Sequence, residues 1–212
     1  MTLHGYWRSS CSWRVRIALA YKGLDHETRA VHLTRGGGEQ HAPEHRRRSP
    51  LGQVPVLELD DGRCLSQSMA ILDYLESACP SPSLAPDDPW DHARSRQLAE
   101  MINAGIQPLQ NLAVLTYLAR TGADARSWAR HFITTGLDAL EAAASERPGT
   151  FLVGHAPSLA DVCLVPQLYN ARRFDCVVDR WPRLLAAEAV ALALPAFHLT
   201  HPDHQPDAAR AA

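Results

Sequence analysis

Between Trp7 and Arg14 the chain reads Trp-Arg-Ser-Ser-Cys-Ser-Trp-Arg, so three hydroxyls and one thiol (Ser9, Ser10, Cys11, Ser12) stand between two cations, Arg8 and Arg14. Hydroxyls in such a run can hydrogen-bond a thiolate or another anion, and a cysteine among them can itself act as a nucleophile. The same serines can equally do no more than cap a helix. A second segment, Gln53-Val54-Pro55, puts proline where the pattern otherwise reads as strand. An edge strand explains that, and so does a cis X-Pro bond that presents the Val54 backbone to a ligand. The third, Ser66-Gln67-Ser68, precedes an apolar periodic stretch. Its side chains and the helix-start N–H groups suit a carboxylate, or again a cap.

The elements that must carry these groups alternate over the first third of the chain. Leu3 to Trp7 reads as a short strand, and Ser10 to Lys22 as a helix with Val15, Ala18 and Leu19 on one face and Gly23 as its stop. Thr28 to Leu33 reads as a second strand, followed by a polar loop holding Gly36-Gly37-Gly38 and Arg46-Arg47-Arg48. Two apolar runs flanking Asp61-Gly62 predict a hairpin. A helix from Ser68 to Ala78 would bury Met69, Leu72, Leu75 and Cys79. The order β-α-β, loop, β-β-α predicts a small α/β layer with a mixed sheet. From Cys79 to Pro89 four prolines mark a linker. Beyond it the pattern is helical: Trp90 to about Arg120, bent or interrupted at Pro108, then Ala125 to Glu146, Ser158 to Phe174 and Trp181 to Leu194, with Ser158 and Asp161 spaced as a capping box. The tail from Thr200, rich in Pro and His, reads as poorly ordered.

Composition excludes several classes. With 212 residues, 46% of them hydrophobic and a formal charge of −2, the chain can bury one large core or two small ones and has no nucleic-acid profile. No apolar run approaches the ~20 residues of a membrane span, and the first residues lack a signal-peptide layout, so the expected compartment is the cytoplasm. Five cysteines without a Cys-x-x-Cys pair read as reduced thiols. His41 with His45, and His198 with His201 and His204, have helical spacing but no accompanying carboxylate or thiol set, so no metal is expected. The Arg46 to Arg48 run reads as a solvated face that can also attract anions.

Taken in order, the three segments resemble the glutathione transferase superfamily and, within it, the zeta class. Arg8 through Leu19 looks like the class signature. Gln53-Val54-Pro55, Gln67 through Ile71, Gly105 through Leu112, Ala160 through Gln167 and Arg173-Phe174 extend the likeness along nearly the whole chain. The resemblance implies an α/β thioredoxin-like N-terminal domain (1–82), a linker (83–89) and an all-α C-terminal domain (90–212), with glutathione as thiol cofactor and a homodimer as the assembly. It further implies that Ser9 donates its hydroxyl to the glutathione thiolate, with Ser10 and Cys11 beside it. Gln40 would reach the glycyl end, Val54 before a cis Pro55 would pair with the cysteinyl backbone, and Gln67 and Ser68 would hold the γ-glutamyl carboxylate. Gln107 and Asn111 would reach in from the helical domain. The loop around Gln40 departs from the family pattern, with Ser49 before Pro50 where Asn is common.

The implied activity is cis-trans isomerisation of a keto-diacid. A thiolate added to the alkene makes its double bond temporarily single, and rotation followed by thiolate loss completes the turnover. A free thiol near pKa 8.5 is only a few per cent ionised at neutral pH, so Ser9 and the helix N-terminus must favour the thiolate. Arg8 and Arg173 are the candidates for holding the diacid, because guanidinium groups are planar and permanently charged. By the same likeness the substrate is maleylacetoacetate, with maleylpyruvate as the alternative. Cys11 opens another class, a thiol reductase or general transferase. Position 14 is Arg, however, so no resolving thiol follows it. A non-catalytic binder of glutathione or apolar molecules is the remaining alternative.

Overall fold

The computed structural model describes residues 1–146 and 149–208. They fall into two compact units: Met1–Ser83 with Leu194–Ala212, and Leu84–Ala193. In the first, β1 (Thr2–Gly5) pairs parallel with β2 (Glu27–Ala30) and antiparallel with β3 (Val56–Glu58), and β3 pairs antiparallel with β4 (Cys64–Ser66). The order is β2-β1-β3-β4, the mixed sheet expected from the alternation. Parallel neighbours need a crossover, and α1 (Ser10–Tyr21) supplies it. Antiparallel β3 and β4 need only a turn, which Gly62 closes at φ 84 by donating its N–H to the Leu59 carbonyl. Leu3, Val56 and Leu57 are buried on the central strands, each burial stabilising the unit by about 1.5–3 kcal/mol.

On this sheet α1 packs against α3 (Ser68–Ala78), which buries Met69, Ile71, Leu72 and Leu75. Lys22, the chain's one lysine, ties the end of α1 to α3 and the proline-rich segment beyond it: its ammonium donates to the Cys79 and Pro82 carbonyls and pairs with Glu76 at 2.8 Å. The polar loop contains a helix that no apolar period announces, α2 (Pro43–Arg48). Polar bonds hold it, from His45 Nε2 to the Gln53 carbonyl and from Arg48 to Glu58 and Glu44.

The second unit is all helical: α4 (Pro89–Asn103), α5 (Leu112–Arg120), α6 (Ala125–Ala144), α7 (Leu159–Arg173) and α8 (Pro182–Leu192). Asp88, Asn111 and Asp124 cap α4, α5 and α6 by accepting first-turn N–H bonds. The helical stretch expected from Trp90 to Arg120 is interrupted at Pro108, giving α4, a 3₁₀ turn (Gln107–Gln110) and α5. Gly105 marks the break, since a Cβ there would lie 2.5 Å from the Met101 carbonyl oxygen, and Pro108 has no N–H to continue a helix. No described helix is long and apolar enough to cross a membrane.

The chain end corrects two expectations. Residues from 194 onward fold with the first unit, not with the helical one, because α9 (Pro195–His198) packs on α1 and buries Phe197. The tail is also structured through Ala208. It forms a 3₁₀ turn at Pro202–His204, and Thr200 and Asp207 accept hydrogen bonds from Trp13 and Trp7. Residues 209–212 lie outside the described chain.

Asp161 shows what a buried carboxylate does for α7. It is fully buried, its Oδ2 accepting from the Ser158 N–H and O–H and its Oδ1 from the Leu152 N–H. These bonds do not offset desolvation, and burial pushes its pKa up to about 6. We expect Asp161→Ala to cost about 2–4 kcal/mol in urea unfolding, since two buried N–H groups lose their acceptor. Because the folded pKa exceeds the unfolded one, the proton-linked contribution is complete below pH ~4 and lost as pH rises through about 6. The advantage of wild type over Asp161→Asn should therefore grow as pH is lowered from 7 to 4.

Candidate functional site

Ser9 is the N-cap of α1, with φ −70 and ψ 121, and its Oγ accepts the Ser12 N–H at 3.2 Å. A hydroxyl that accepts on a lone pair keeps its own proton to donate, so the capping bond leaves Ser9 able to act as a donor at the helix start. Capping and anion binding, open alternatives in the sequence, are thus compatible uses of one side chain. The N–H groups of Ser10 and Cys11 have no acceptor within the helix and add partial positive charge beside it. Ser10 is buried, while Cys11 and Arg8 are half-buried; the Arg8 guanidinium lies 5.2 Å from the centroid of the Trp7 ring.

The other expected groups of the first unit occupy three more positions. Val54 precedes a cis bond to Pro55 and sits outside the β3 ladder, so the sheet does not use its N–H and C=O. Gln67 is the N-cap of α3 with φ 74 and ψ 114, a conformation side chains rarely adopt, and its Nε2 donates to Gln53 Oε1. Gln40, in a 3₁₀ turn (Glu39–His41), donates from Nε2 to the Leu33 carbonyl, whereas its Oε1 is buried with no hydrogen-bond partner. Gly38 at φ 104 permits this, for a Cβ there would meet the Gln40 amide at 2.4 Å. A buried acceptor without a donor fits a ligand amide, which is what the glycyl end of a peptide thiol would bring.

Two residues that sequence reasoning missed stand behind these groups. Arg14 is fully buried within α1 and donates to Ser68 Oγ at 3.3 Å. A guanidinium can only donate, so the Ser68 proton is turned elsewhere and Ser68 becomes a donor at the start of α3, beside a positive charge that suits a carboxylate. Arg16 is 4% exposed and bonded to the Tyr6 and Trp7 carbonyls. The signal was present as two cations set into an otherwise apolar helical stretch, Trp13 to Leu19.

In the second unit, Gln107 opens the 3₁₀ turn before α5 and Asn111 caps α5, its Oδ1 accepting the Ala113 N–H. The buried amide of that stretch is Gln110, paired with Gln167 at 2.6 Å. Of the two arginines ending α7, Arg172 makes two bonds to Glu188, while Arg173 donates to Asn170 Oδ1 and stands 5.9 Å from the Phe174 ring. All five cysteines are free thiols, with Cys163 and Cys176 buried and Cys64 exposed.

Comparison with known proteins agrees with this geometry. Residues 8–78 match the glutathione S-transferase N-terminal domain. Maleylacetoacetate isomerase of Rattus norvegicus is 45% identical over 205 residues, 97% of this chain and 94% of that one. A crystal structure of maleylacetoacetate isomerase from Anaeromyxobacter dehalogenans, with bound dicarboxyethyl glutathione and citrate in the active site, is 50% identical at a TM-score of 0.88. It covers 98% of this chain and 96% of that one. A maleyl pyruvate isomerase, described as a bacterial glutathione S-transferase in zeta class, is 38% identical at a TM-score of 0.93, with 98% and 99% covered.

The Gln67 backbone separates ligand binding from folding. Glycine tolerates its φ of 74, so Gln67→Gly should stabilise the first unit by about 1 kcal/mol in thermal unfolding while weakening glutathione binding several-fold in calorimetry. A lower melting temperature together with unchanged binding would show that the side chain serves the fold alone.

Proposed function

The chain belongs to the zeta class of the glutathione S-transferase family, and on that premise we propose that it is a glutathione-dependent isomerase converting maleylacetoacetate to fumarylacetoacetate. The observation that carries this reading is the near end-to-end identity of about 45% with relatives named for that activity. Bound glutathione supplies the thiolate that adds to the conjugated alkene and leaves after rotation about the bond so made single.

The protein's part is to hold that thiol ionised and to hold the diacid. Ser9 donates its hydroxyl to the sulfur, assisted by the Ser10 and Cys11 amides at the start of α1. Ser68, polarised by Arg14, and Gln67 receive the γ-glutamyl carboxylate, Val54 offers its backbone to the cysteinyl residue, and Gln40 meets the glycyl end. We assign Arg8 and Arg173 to the substrate's carboxylates, with Gln107 and Asn111 as further polar contacts. The Asn111 nitrogen supports this, since its oxygen alone serves the α5 cap. Maleylpyruvate is the second reading, supported by 38% identity over 98% of this chain to a maleyl pyruvate isomerase. We further read the enzyme as a cytoplasmic homodimer, in keeping with five free thiols.

Assaying both cis keto-diacids with and without glutathione tests the reading. We expect glutathione-dependent loss of maleylacetoacetate with the higher kcat/KM; no turnover of either substrate would sink it. Ser9→Ala should lower kcat/KM by ~10²-fold, the scale of losing one donor to a developing anion. Ser9→Gly, which keeps the helix start within a few tenths of a kcal/mol, should fall as far. Cys11→Ala should cost under tenfold, and the reverse order would favour the thiol-redox alternative. Arg173→Ala should lower kcat/KM for the diacid while glutathione affinity stays constant; unchanged kinetics would return Arg173 to a surface charge.

A further inference from the structure

The segment after α9 grips the peptide groups that lead into Ser9. Strand β1 ends at Gly5, so Trp7 has no ladder partner. Instead its N–H donates to Asp207 Oδ2 at 2.9 Å, and its carbonyl accepts from Arg16 Nη2 at 2.9 Å. Arg16 also reaches the Tyr6 carbonyl at 3.4 Å and, through Nε, the Thr200 carbonyl at 3.3 Å. Trp13 Nε1 donates to Thr200 Oγ1 at 3.0 Å, and that hydroxyl passes its own proton to the Ala196 carbonyl at 2.7 Å. The His201 ring stands edge-on to Trp13, centroids 5.1 Å apart. Trp13 and Arg16 are almost fully buried, at 1% and 4% exposed. Burial pushes Arg16 down to about 10, and Asp207 opposes that shift, so the guanidinium stays charged at neutral pH.

These contacts have a common target. Asp207, the Thr200 carbonyl and hydroxyl and the His201 ring all meet groups of residues 7 to 16, the stretch that contains Arg8 to Cys11. Packing of Phe197 suffices to seat α9, whereas Asp207 reaches ten residues further to bond one backbone N–H two positions before Ser9. With the Trp7 peptide held at its N–H and its carbonyl, the route into the N-cap is fixed from both sides, and the Ser9 N–H bond to the Tyr6 carbonyl closes the turn.

We propose that residues 200–208 form a clip whose positioning residues, Asp207 and Thr200, hold the β1–α1 connection so that the Ser9 hydroxyl and the first amides of α1 meet the glutathione sulfur in register. The role in binding the sulfur rests on the isomerase reading above; the mechanical role does not. A clip of this kind tunes thiol activation indirectly, because the Asp207 and Thr200 side chains bond Trp7, Trp13 and Ala196 and act through the chain.

Two variants of the full enzyme test it: Asp207→Ala, and a chain ending at Pro206, which keeps α9 and Thr200. In the ligand-free proteins, amide hydrogen exchange at Trp7 to Cys11 should rise at least tenfold with circular dichroism unchanged. Calorimetric Kd for glutathione should rise roughly five- to tenfold, the scale of one ordinary hydrogen bond. The acid limb of kcat/KM against pH should move to higher pH while KM for the diacid stays constant. Asp207→Asn, which keeps an oxygen acceptor for the Trp7 N–H, should recover most of the loss. Exchange and Kd within twofold of wild type in a folded Asp207→Ala protein would overturn the proposal, as would a loss confined to melting temperature. Wild-type protein that binds glutathione yet isomerises neither substrate would refute the activity, leaving exchange and Kd to decide the clip.

Discussion

Two guanidinium groups buried in α1 set the terms for the first unit. An ion removed from water is strongly destabilising unless hydrogen bonds surround it, so Arg14 and Arg16 dictate what must lie nearby. Arg14 demands an acceptor and finds Ser68 at the start of α3. Arg16 demands several and finds three carbonyls, of Tyr6, Trp7 and Thr200. One helix thereby fixes two segments with ligand-binding chemistry, the loop before itself and the first residue of α3. Replacing either arginine by an apolar residue would keep the packing and release these segments, which is why a charge is useful where a hydrophobe would be less costly.

Ser9 likewise serves fold and chemistry with one side chain. Its lone pair caps the helix start, its proton is free for the anion of the proposed reading, and the helix it caps supplies the positive end of a dipole. Cys11 stands two residues further on and contributes its amide whether or not its thiol reacts. The sulfur chemistry therefore needs no low-pKa cysteine in the protein, and five free thiols are consistent with that division.

Much of this was legible in sequence, for reasons that differ element by element. Period-two runs around Asp61-Gly62 and the apolar stripe of α3 carry direct packing signals, and the mixed sheet followed from their order. The Ser158 and Asp161 spacing likewise encodes a local bond that the fold makes. Helix α2 carried no such signal, because Pro-Glu-His-Arg-Arg-Arg has no apolar period and its anchors, Gln53 and Glu58, lie outside the helix, beyond the turn at Gly52. The tail misled for the same reason. Proline and histidine without hydrophobes read as loose chain, yet its polar atoms are the acceptors that Trp7, Trp13 and Arg16 require. Of the candidate site, the serines, Val54-Pro55 and Gln67-Ser68 stood out by residue type and position, while the burial of Arg14 and Arg16 depends on long-range packing that no local pattern carries.

The two halves of the reaction are built from different materials. On the proposed reading, recognition of the peptide thiol uses side chains set by backbone devices: an N-cap at Ser9, a cis bond after Val54, the φ of 74 at Gln67 and a glycine at 38 that makes room for Gln40. Altering any of these means altering backbone conformation, and the sheet resists that. Diacid recognition, as proposed, falls instead to side chains such as Arg173, which bonds Asn170 and lies by the Phe174 ring at the end of α7, where it is exchangeable without disturbing the helix. Discrimination between a longer and a shorter keto-diacid is therefore a side-chain property, one that can differ between two proteins that activate the same thiol in the same way.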